Sequence, residues 1–155
     1  MVQLRAYAPG DCPVLAALFA ETVRTVNAAD YTPEQIEAWV GEPVDVNAWD
    51  RSLRAHTAIV AEEAGRIVGF GDMDASGYLD QLYVHRDFQR QGIASALCAA
   101  LEAAVGGPRF VTHASLTARP FFESRGYRVI RAQQVVRRGV ALTNFVMEKQ
   151  IEPAG

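Results

Sequence analysis

The sequence predicts an α/β (α+β) domain built on one mixed sheet, and three observations carry that prediction. Windows rich in β-formers recur in neighbouring pairs around short turns, as at 57–62 and 67–73 about Glu63-Ala64-Gly65-Arg66, which is the pattern of hairpins. A strand-like window at 78–84 runs almost directly into a helical pattern, Ile93, Leu97, Leu101 and Ala104. A further strand follows that helix, and a strand–helix–strand passage of this kind requires a parallel crossover.

Taken in order, residues 2–7 alternate well enough for a first strand, and Pro9-Gly10 marks a turn. Asp11 is placed to cap a helix with Pro13 in its first turn, and Leu15, Leu18, Phe19, Thr22, Val23 and Val26 form one face of it. Thr32-Pro33-Glu34-Gln35 is a helix start with three signals: a capping Thr32, Pro33 at the first helical position and Gln35 to close a capping box. Ile36, Trp39 and Val40 share a face of that helix. Asp45 offers a cap for another short helix with Val46, Trp49 and Leu53 on one side, so residues 11–55 are helical.

Strands follow at 57–62, 67–73 and 78–84, joined by hairpin turns. Gly69 and Gly71 alternate on one face of the middle strand, which predicts close approach by something large. After the long helix, Gly106-Gly107-Pro108 is a break. Residues 110–114 form a strand, and Thr117 is placed to cap a short helix over 118–125 that Gly126 ends. Residues 127–136 and 140–148 are two strands joined at Arg137-Arg138-Gly139. The order reads β α α β β β α β α β β. Residues 1–150 make one domain, and 151–155 read as a frayed tail.

Composition narrows the function classes. The 155 residues suffice for one domain with a real core; half are hydrophobic (50%) and about a fifth charged (21%), as in ordinary globular proteins. A net charge of −3 argues against nucleic acid as a partner, which usually needs a basic face. No apolar run is long enough to span a bilayer and no signal peptide is visible, so a cytoplasmic address without a membrane partner is expected. Cys12 and Cys98, the two cysteines, both fall in helical patterns and read as reduced core thiols. Cysteine and histidine spacings make no metal site, and there is no Gly-x-x-x-x-Gly-Lys-Ser/Thr phosphate loop.

The stretch from Tyr78 to Ala104 carries the chemistry. It passes from strand through Gln89-Arg90-Gln91-Gly92-Ile93-Ala94 into the N-terminus of a helix. The first helical N–H groups have no partner inside the helix, and the helix dipole adds partial positive charge there. Gly92 and Ala94 have almost no side chain, so a phosphate can approach those N–H groups closely.

These residues resemble the GNAT superfamily of acyl-CoA-dependent N-acyltransferases. Its Arg/Gln-x-x-Gly-x-Gly/Ala signature stands here as Gln89-Arg90-Gln91-Gly92-Ile93-Ala94. Its downstream Asn-x-x-Ala-x-x-x-Tyr-Glu-x-x-Gly-Phe stands as Ser115-Leu116-Thr117-Ala118-Arg119-Pro120-Phe121-Phe122-Glu123-Ser124-Arg125-Gly126-Tyr127. The element order is similar to the family's nearly end to end. Within it, YTPEQIEAW and RRGVALTNFVMEK look like a group of uncharacterised bacterial acetyltransferases.

The resemblance implies acetyl-CoA as acyl donor, with no metal, and a mostly antiparallel sheet with helices on both faces, splayed between the fourth and fifth central strands. Gln89, Arg90, Gln91, Gly92, Ile93, Ala94 and Ser95 would meet the CoA pyrophosphate. The backbone of Leu82 and Val84 would meet the pantetheine arm, with Tyr83 and Phe122 also among the cofactor-binding residues, an N–H near Leu82 would polarise the thioester carbonyl, and Ser115 would bond the pantetheine.

By period-two alternation, Asp80 shares a face with Tyr78, Leu82 and Val84, and the family often uses an acidic residue on this strand as general base. Asp80 is the first choice for that base. Tyr78 occupies the best-known family position, and Asp72 and Asp74 are backups. The family's acidic tyrosine is replaced by Phe122, which has no proton to give. Trp39, Trp49, Tyr31, Phe19, Asn144 and Arg138 are acceptor-site candidates, although core packing competes for each aromatic. His56, His85 and His113 are scattered and read as surface or structural residues.

The expected reaction is transfer of acetyl from acetyl-CoA to a primary amine by direct attack, without a cysteine acyl-enzyme. The partner is then a small-molecule or peptide amine, and a homodimer is allowed for. The competing reading is a non-catalytic acyl-CoA-binding regulatory module. Phe122 favours that reading, and the acidic group at Asp80 favours an enzyme.

Overall fold

The computed structural model describes residues 2–151. Twelve elements run in the order β1 (Val2–Ala6), α1 (Cys12–Thr25), α2 (Pro33–Val40), α3 (Val46–Ala55), β2 (Thr57–Glu63), β3 (Arg66–Met73), β4 (Tyr78–Val84), α4 (Ile93–Val105), β5 (Arg109–Ser115), α5 (Arg119–Ser124), β6 (Arg128–Arg137) and β7 (Val140–Gln150). The helix capped by Asp45 is a full element, so three helices separate β1 from β2, where the order read from the sequence has two. Single 3-10 turns stand at Pro9–Asp11, Asn27–Ala29 and Arg86–Phe88.

The local chemistry explains most boundaries. Thr32 Oγ1 accepts from the Gln35 N–H (3.1 Å) and Gln35 Oε1 from the Thr32 N–H (2.9 Å), closing the expected capping box. Asp45 Oδ1 accepts from Ala48 N–H at 3.1 Å and starts α3. Two expected caps fall elsewhere. Asp11 does not cap α1: its carboxylate accepts from the Arg5 guanidinium and from Ala8 N–H, which holds the turn before the helix. Thr117 donates to Asp30 Oδ2, and Ser115 Oγ instead accepts from Ala118 N–H ahead of α5. Of the expected tail, Ile151 donates its N–H to Pro108 O at 2.8 Å, and 152–155 lie outside the described residues.

The seven strands form one sheet in the order β1-β2-β3-β4-β5-β7-β6. Every neighbouring pair is antiparallel except β4 and β5, which are parallel. That parallel pair is short: only Tyr78 with Val111 and Leu79 with Thr112 are in register. From Asp80 to Val84, β4 has no partner on that side, so the sheet splays between its fourth and fifth strands.

One face of the sheet carries α1, α2 and α3. Leu15, Phe19, Ile36 and Leu53 pack there with Val60 and Phe70. The other face carries α4 and α5, with Leu97, Cys98, Leu101 and Phe122 against Val68, Met73, Leu79 and Met147. Gly71 explains how α4 comes so close. A Cβ there would lie 2.9 Å from Gln81 O and 3.1 Å from the Leu101 side chain, so the expected large neighbour is this helix. Cys12 and Cys98 are both buried free thiols.

One strand departs from simple alternation. Asp72 pairs with Gln81, and the next residue, Met73, pairs with Leu79. Asp80 is therefore the extra residue of a β-bulge, which re-aims its neighbours. Leu79, Leu82 and Val84 all pack on the α4 side, whereas Tyr83 meets Phe19 and Phe70 on the α1 side. The expectation that Asp80 shares a face with Leu82 and Val84 is corrected on this ground: the bulge inserts a step that flips the register of the strand's second half.

Candidate functional site

A cleft of about 620 Å³ opens where β4 and β5 part. Its floor is the unpaired half of β4 with the N-terminus of α4, and its far wall is β5 with the tips of β6 and β7. Residues of α1, α2 and the segment between them close the remaining side.

The α4 end of the cleft has the makings of an anion cradle. Gly92 stands at the N-cap with φ +82, carries no capping side chain, and has nothing within 4 Å of where a Cβ would be. Arg90, two residues earlier, also takes a left-handed φ of +61. The first bond of α4 runs from Ala96 N–H to Gly92 O (3.0 Å). The N–H groups of Ile93, Ala94 and Ser95 therefore precede the intrahelical ladder and face open space with the positive end of the dipole. Gln89 anchors the loop by donating its side-chain N–H to Val84 O at 2.5 Å. Gln89, Arg90, Gly92, Ile93, Ala94 and Ser95 line the cleft, and Gln91 does not.

On the cleft side of β4 the backbone at Leu82 has no strand partner, Val84 O is taken by the Gln89 side chain, and Tyr83 pairs with Phe70 of β3 instead. Ser115 Oγ accepts from Asn27 Nδ2 (3.3 Å) and Ala118 N–H (3.1 Å), which leaves its own hydroxyl hydrogen to donate into the cleft. Phe122 lines the wall but is nearly buried, stacked edge-on against Phe121 and Tyr127.

Across from the cradle stand some of the residues expected at an acceptor site. Tyr31 and Trp39 line the cleft, edge to face at 5.4 Å. Tyr31 is fixed there because its hydroxyl donates to Thr143 O and accepts from Leu116 N–H. Phe19 and Trp49 instead pack together in the core at 5.2 Å, with Trp49 also against Phe70, so neither reaches the cleft. Asn144 lines it, whereas Arg138 sits at a left-handed hairpin position facing Glu42 and leaves the cleft to Arg137.

Asp80 and Tyr78 both face the cleft from β4. The partly desolvated wall pushes the Asp80 carboxyl above its ordinary value, Asp74 adds to that rise, and His56 and His113 oppose it. Burial pushes the Tyr78 phenol up, with Asp80 next in effect. Of the backups, Asp74 is committed to the β3–β4 turn, accepting from Ser76 and from Tyr78 N–H. Asp72 is fully buried, and its carboxyl is pushed up to about 6 by that burial.

The histidines divide. His85 is structural: it is buried, lies 3.2 Å from an Arg66 nitrogen and accepts from Asp87 N–H. His113 meets the Tyr78 ring at 5.3 Å and lines the cleft. His56 Nδ1 lies 2.7 Å from Asp72 Oδ2. His56, Asp72 and Asp80 each bring one nitrogen or oxygen within 4.8 Å of the others. His113 thus lies at the cleft, whereas His56 lies behind it, beside Asp72. The grouping of His56 with Asp72 and Asp80 is invisible in the sequence because it depends on where α3 ends against β3 and β4.

Among the described residues no helix is long and apolar enough to cross a membrane. Residues 27–149 match the family described as Acetyltransferase (GNAT) domain. The chain is 36% identical over 146 residues to the uncharacterized N-acetyltransferase YafP of Escherichia coli (strain K12), covering 94% of each protein. It is similar to the crystal structure of a GCN5-related N-acetyltransferase from Rhodopseudomonas palustris, with a TM-score of 0.91, 32% identity and coverage of 96% and 95% of the two chains. It shares the fold of PaiA N-acetyltransferase from Thermoplasma acidophilum, solved in complex with coenzyme A, with a TM-score of 0.80, 17% identity and coverage of 97% and 99%.

Proposed function

The chain belongs to the GNAT acetyltransferase family, and from that membership we propose that it moves an acetyl group from acetyl-CoA to a primary amine by direct attack, with Asp80 as general base. The observation that carries the reading is the splay itself: a cleft with an anion cradle at one end and a carboxylate at the other, joined by unpaired strand backbone.

The cleft fits the donor. The space at Gly92, which a side chain would fill, admits a pyrophosphate to the N–H groups of Ile93, Ala94 and Ser95, and Arg90 adds a charge-assisted donor. The edge of β4 at Leu82 and the Val84 N–H offer backbone groups to the amide-bearing arm, as a strand edge does to a peptide. When bound, acetyl-CoA supplies a thioester carbonyl open to an amine and a thiolate that can leave.

The chain's own residues do the rest. An alkyl ammonium has no lone pair, so a group must take its proton before attack. Asp80 faces the cleft, and its raised affinity for protons makes it a better base than an ordinary surface carboxylate. Backbone N–H groups near Leu82 can polarise the carbonyl. Phe122 cannot return a proton, so departure as a thiolate, whose free pKa is near ~8.5, is the simplest exit. Thr22 Oγ1 and Asn144 Oδ1 are buried in the cleft wall without partners, which favours an acceptor carrying hydrogen-bonding groups beside its amine.

The test is acetyl-CoA turnover against a panel of amines (polyamines, amino acids, aminoglycosides and peptides), read as free CoA thiol. Turnover of at least one amine, with about tenfold or greater loss in Asp80→Asn and partial recovery at high pH, supports the reading. Binding of acetyl-CoA without turnover of any amine would favour the regulatory module that Phe122 leaves open.

A further inference from the structure

We propose that the half-buried His56 and the buried Asp72 are positioning residues behind Asp80: the pair takes over the proton that Asp80 removes from the amine and so returns Asp80 to its charged form. The inference rests on the reading of Asp80 as the base.

Each part of the arrangement has a local cause. His56 follows α3 in extended backbone, and its N–H is held by Ser52 O and Leu53 O at 3.2 and 3.3 Å. Asp72 is on β3, one residue before the bulge, and has no exposed surface. The bulge turns the inserted Asp80 toward this pair, to within 4.8 Å of both. Asp80 lines the cleft, whereas His56 and Asp72 do not, so the pair communicates with substrate through Asp80.

Chemistry gives the three groups distinct parts. The Nδ1–Oδ2 contact of 2.7 Å orients the ring and leaves Nε2 as its open nitrogen. A carboxylate that fixes one ring nitrogen and stabilises the ring when it gains a proton is the logic of catalytic triads. In the step proposed here, the amine N–H bond breaks and its electron pair stays on nitrogen. The proton bonds to an Asp80 oxygen, directly or through a water. Through a bridging water it then passes to the open Nε2 of His56, Nδ1–H staying on Asp72, which stabilises the cation, and it leaves to solvent after turnover. No oxidant or other co-reactant enters.

The groups facing this cluster are Tyr78 and Tyr83 on β4, Asp74 in the β3–β4 turn and His113 on β5. Asp74 and Tyr78 have their own partners in the turn and the His113 ring, and the direct bond that His56 makes within the set is the one to Asp72.

The test compares wild type with His56→Asn, whose amide can still donate to Asp72 but cannot hold a proton. With an amine from the panel, kcat should fall about tenfold or more and the acidic limb of the kcat–pH profile should move. The KM for acetyl-CoA should stay unchanged, because the cradle is untouched. An unaltered profile in His56→Asn beside a defective Asp80→Asn would overturn the relay and leave the base reading intact. Activity lost to a chelator and restored by Zn²⁺ would make the trio a metal site and also overturn the relay. An NMR titration of the His56 ring decides the matter independently of any acceptor. Coupling to Asp80 predicts that the titration curve of the His56 ring moves in Asp80→Asn, and a curve indifferent to Asp80→Asn overturns the relay.

Discussion

The Thr112 hydroxyl donates to Leu79 O across 2.9 Å, and beyond that bond the two parallel strands share no further pairing. Thr112 is buried, so the bond is shielded from water at the root of the cleft. Thr112→Val keeps the shape and removes the donor. The expected cost is about 1 kcal/mol in chemical denaturation, with a several-fold weaker CoA affinity by calorimetry. Unchanged stability would show that backbone pairing alone holds the fork.

The cradle makes a second prediction. Gly92→Glu fills the space before the α4 N–H groups and adds a repelling charge, so CoA affinity should fall at least tenfold while circular dichroism stays native. The left-handed φ of +82 adds strain that a control must match. Gly107 has φ +108, also has nothing within 4 Å of a Cβ, and lies outside the cleft. Gly107→Glu should therefore bear similar strain and bind CoA normally.

Packing of α4 on the sheet makes a third. A methyl at Gly71 would meet Gln81 O at 2.9 Å and the Leu82 and Leu101 side chains at 3.1 Å. The carbonyl belongs to the bulged strand and cannot swing away as a side chain could. Gly71→Ala should cost about 1–3 kcal/mol, as overpacking does, measured as a fall in melting temperature. Gly10→Ala, with nothing within 4 Å, should sit close to wild type.

Much of this was legible in the sequence because it is local. The Thr32–Gln35 box, the cap at Asp45, the small residues at Gly69 and Gly71 and the uncapped start of α4 each depend on a few neighbouring residues. The splay followed from a resemblance rather than from periodicity. The bulge at Asp80 left no mark, because the run from Tyr78 to Val84 alternates plausibly with or without an inserted residue; the register with β3 decides it. Trp39 and Trp49 sit in similar helical patterns, yet one lines the cleft and the other fills the core, a choice made by which sheet residues lie beneath. His56 meets Asp72, 16 positions away, in a contact that no short window of sequence displays.

Burial of Asp72 makes the last prediction. Its carboxyl rises from an ordinary 3.8 to about 6, chiefly because burial disfavours the charge, with the His56 bond opposing. Between those values the folded chain holds a proton at Asp72 that the unfolded chain has released. The folded state thus binds more protons there, and the Asp72 contribution to stability falls as pH rises from about 4 to about 6, then levels off. Asp72→Asn is neutral at every pH and lacks that falling component. Urea denaturation from pH 4 to 7 should show the stability of Asp72→Asn, relative to wild type, rising with pH by on the order of 1–3 kcal/mol. A relative stability that is flat or falls across this window would mean that His56 holds Asp72 charged in the folded state throughout. The pair would then enter turnover as an ion pair and not as an acceptor of the proton from Asp80.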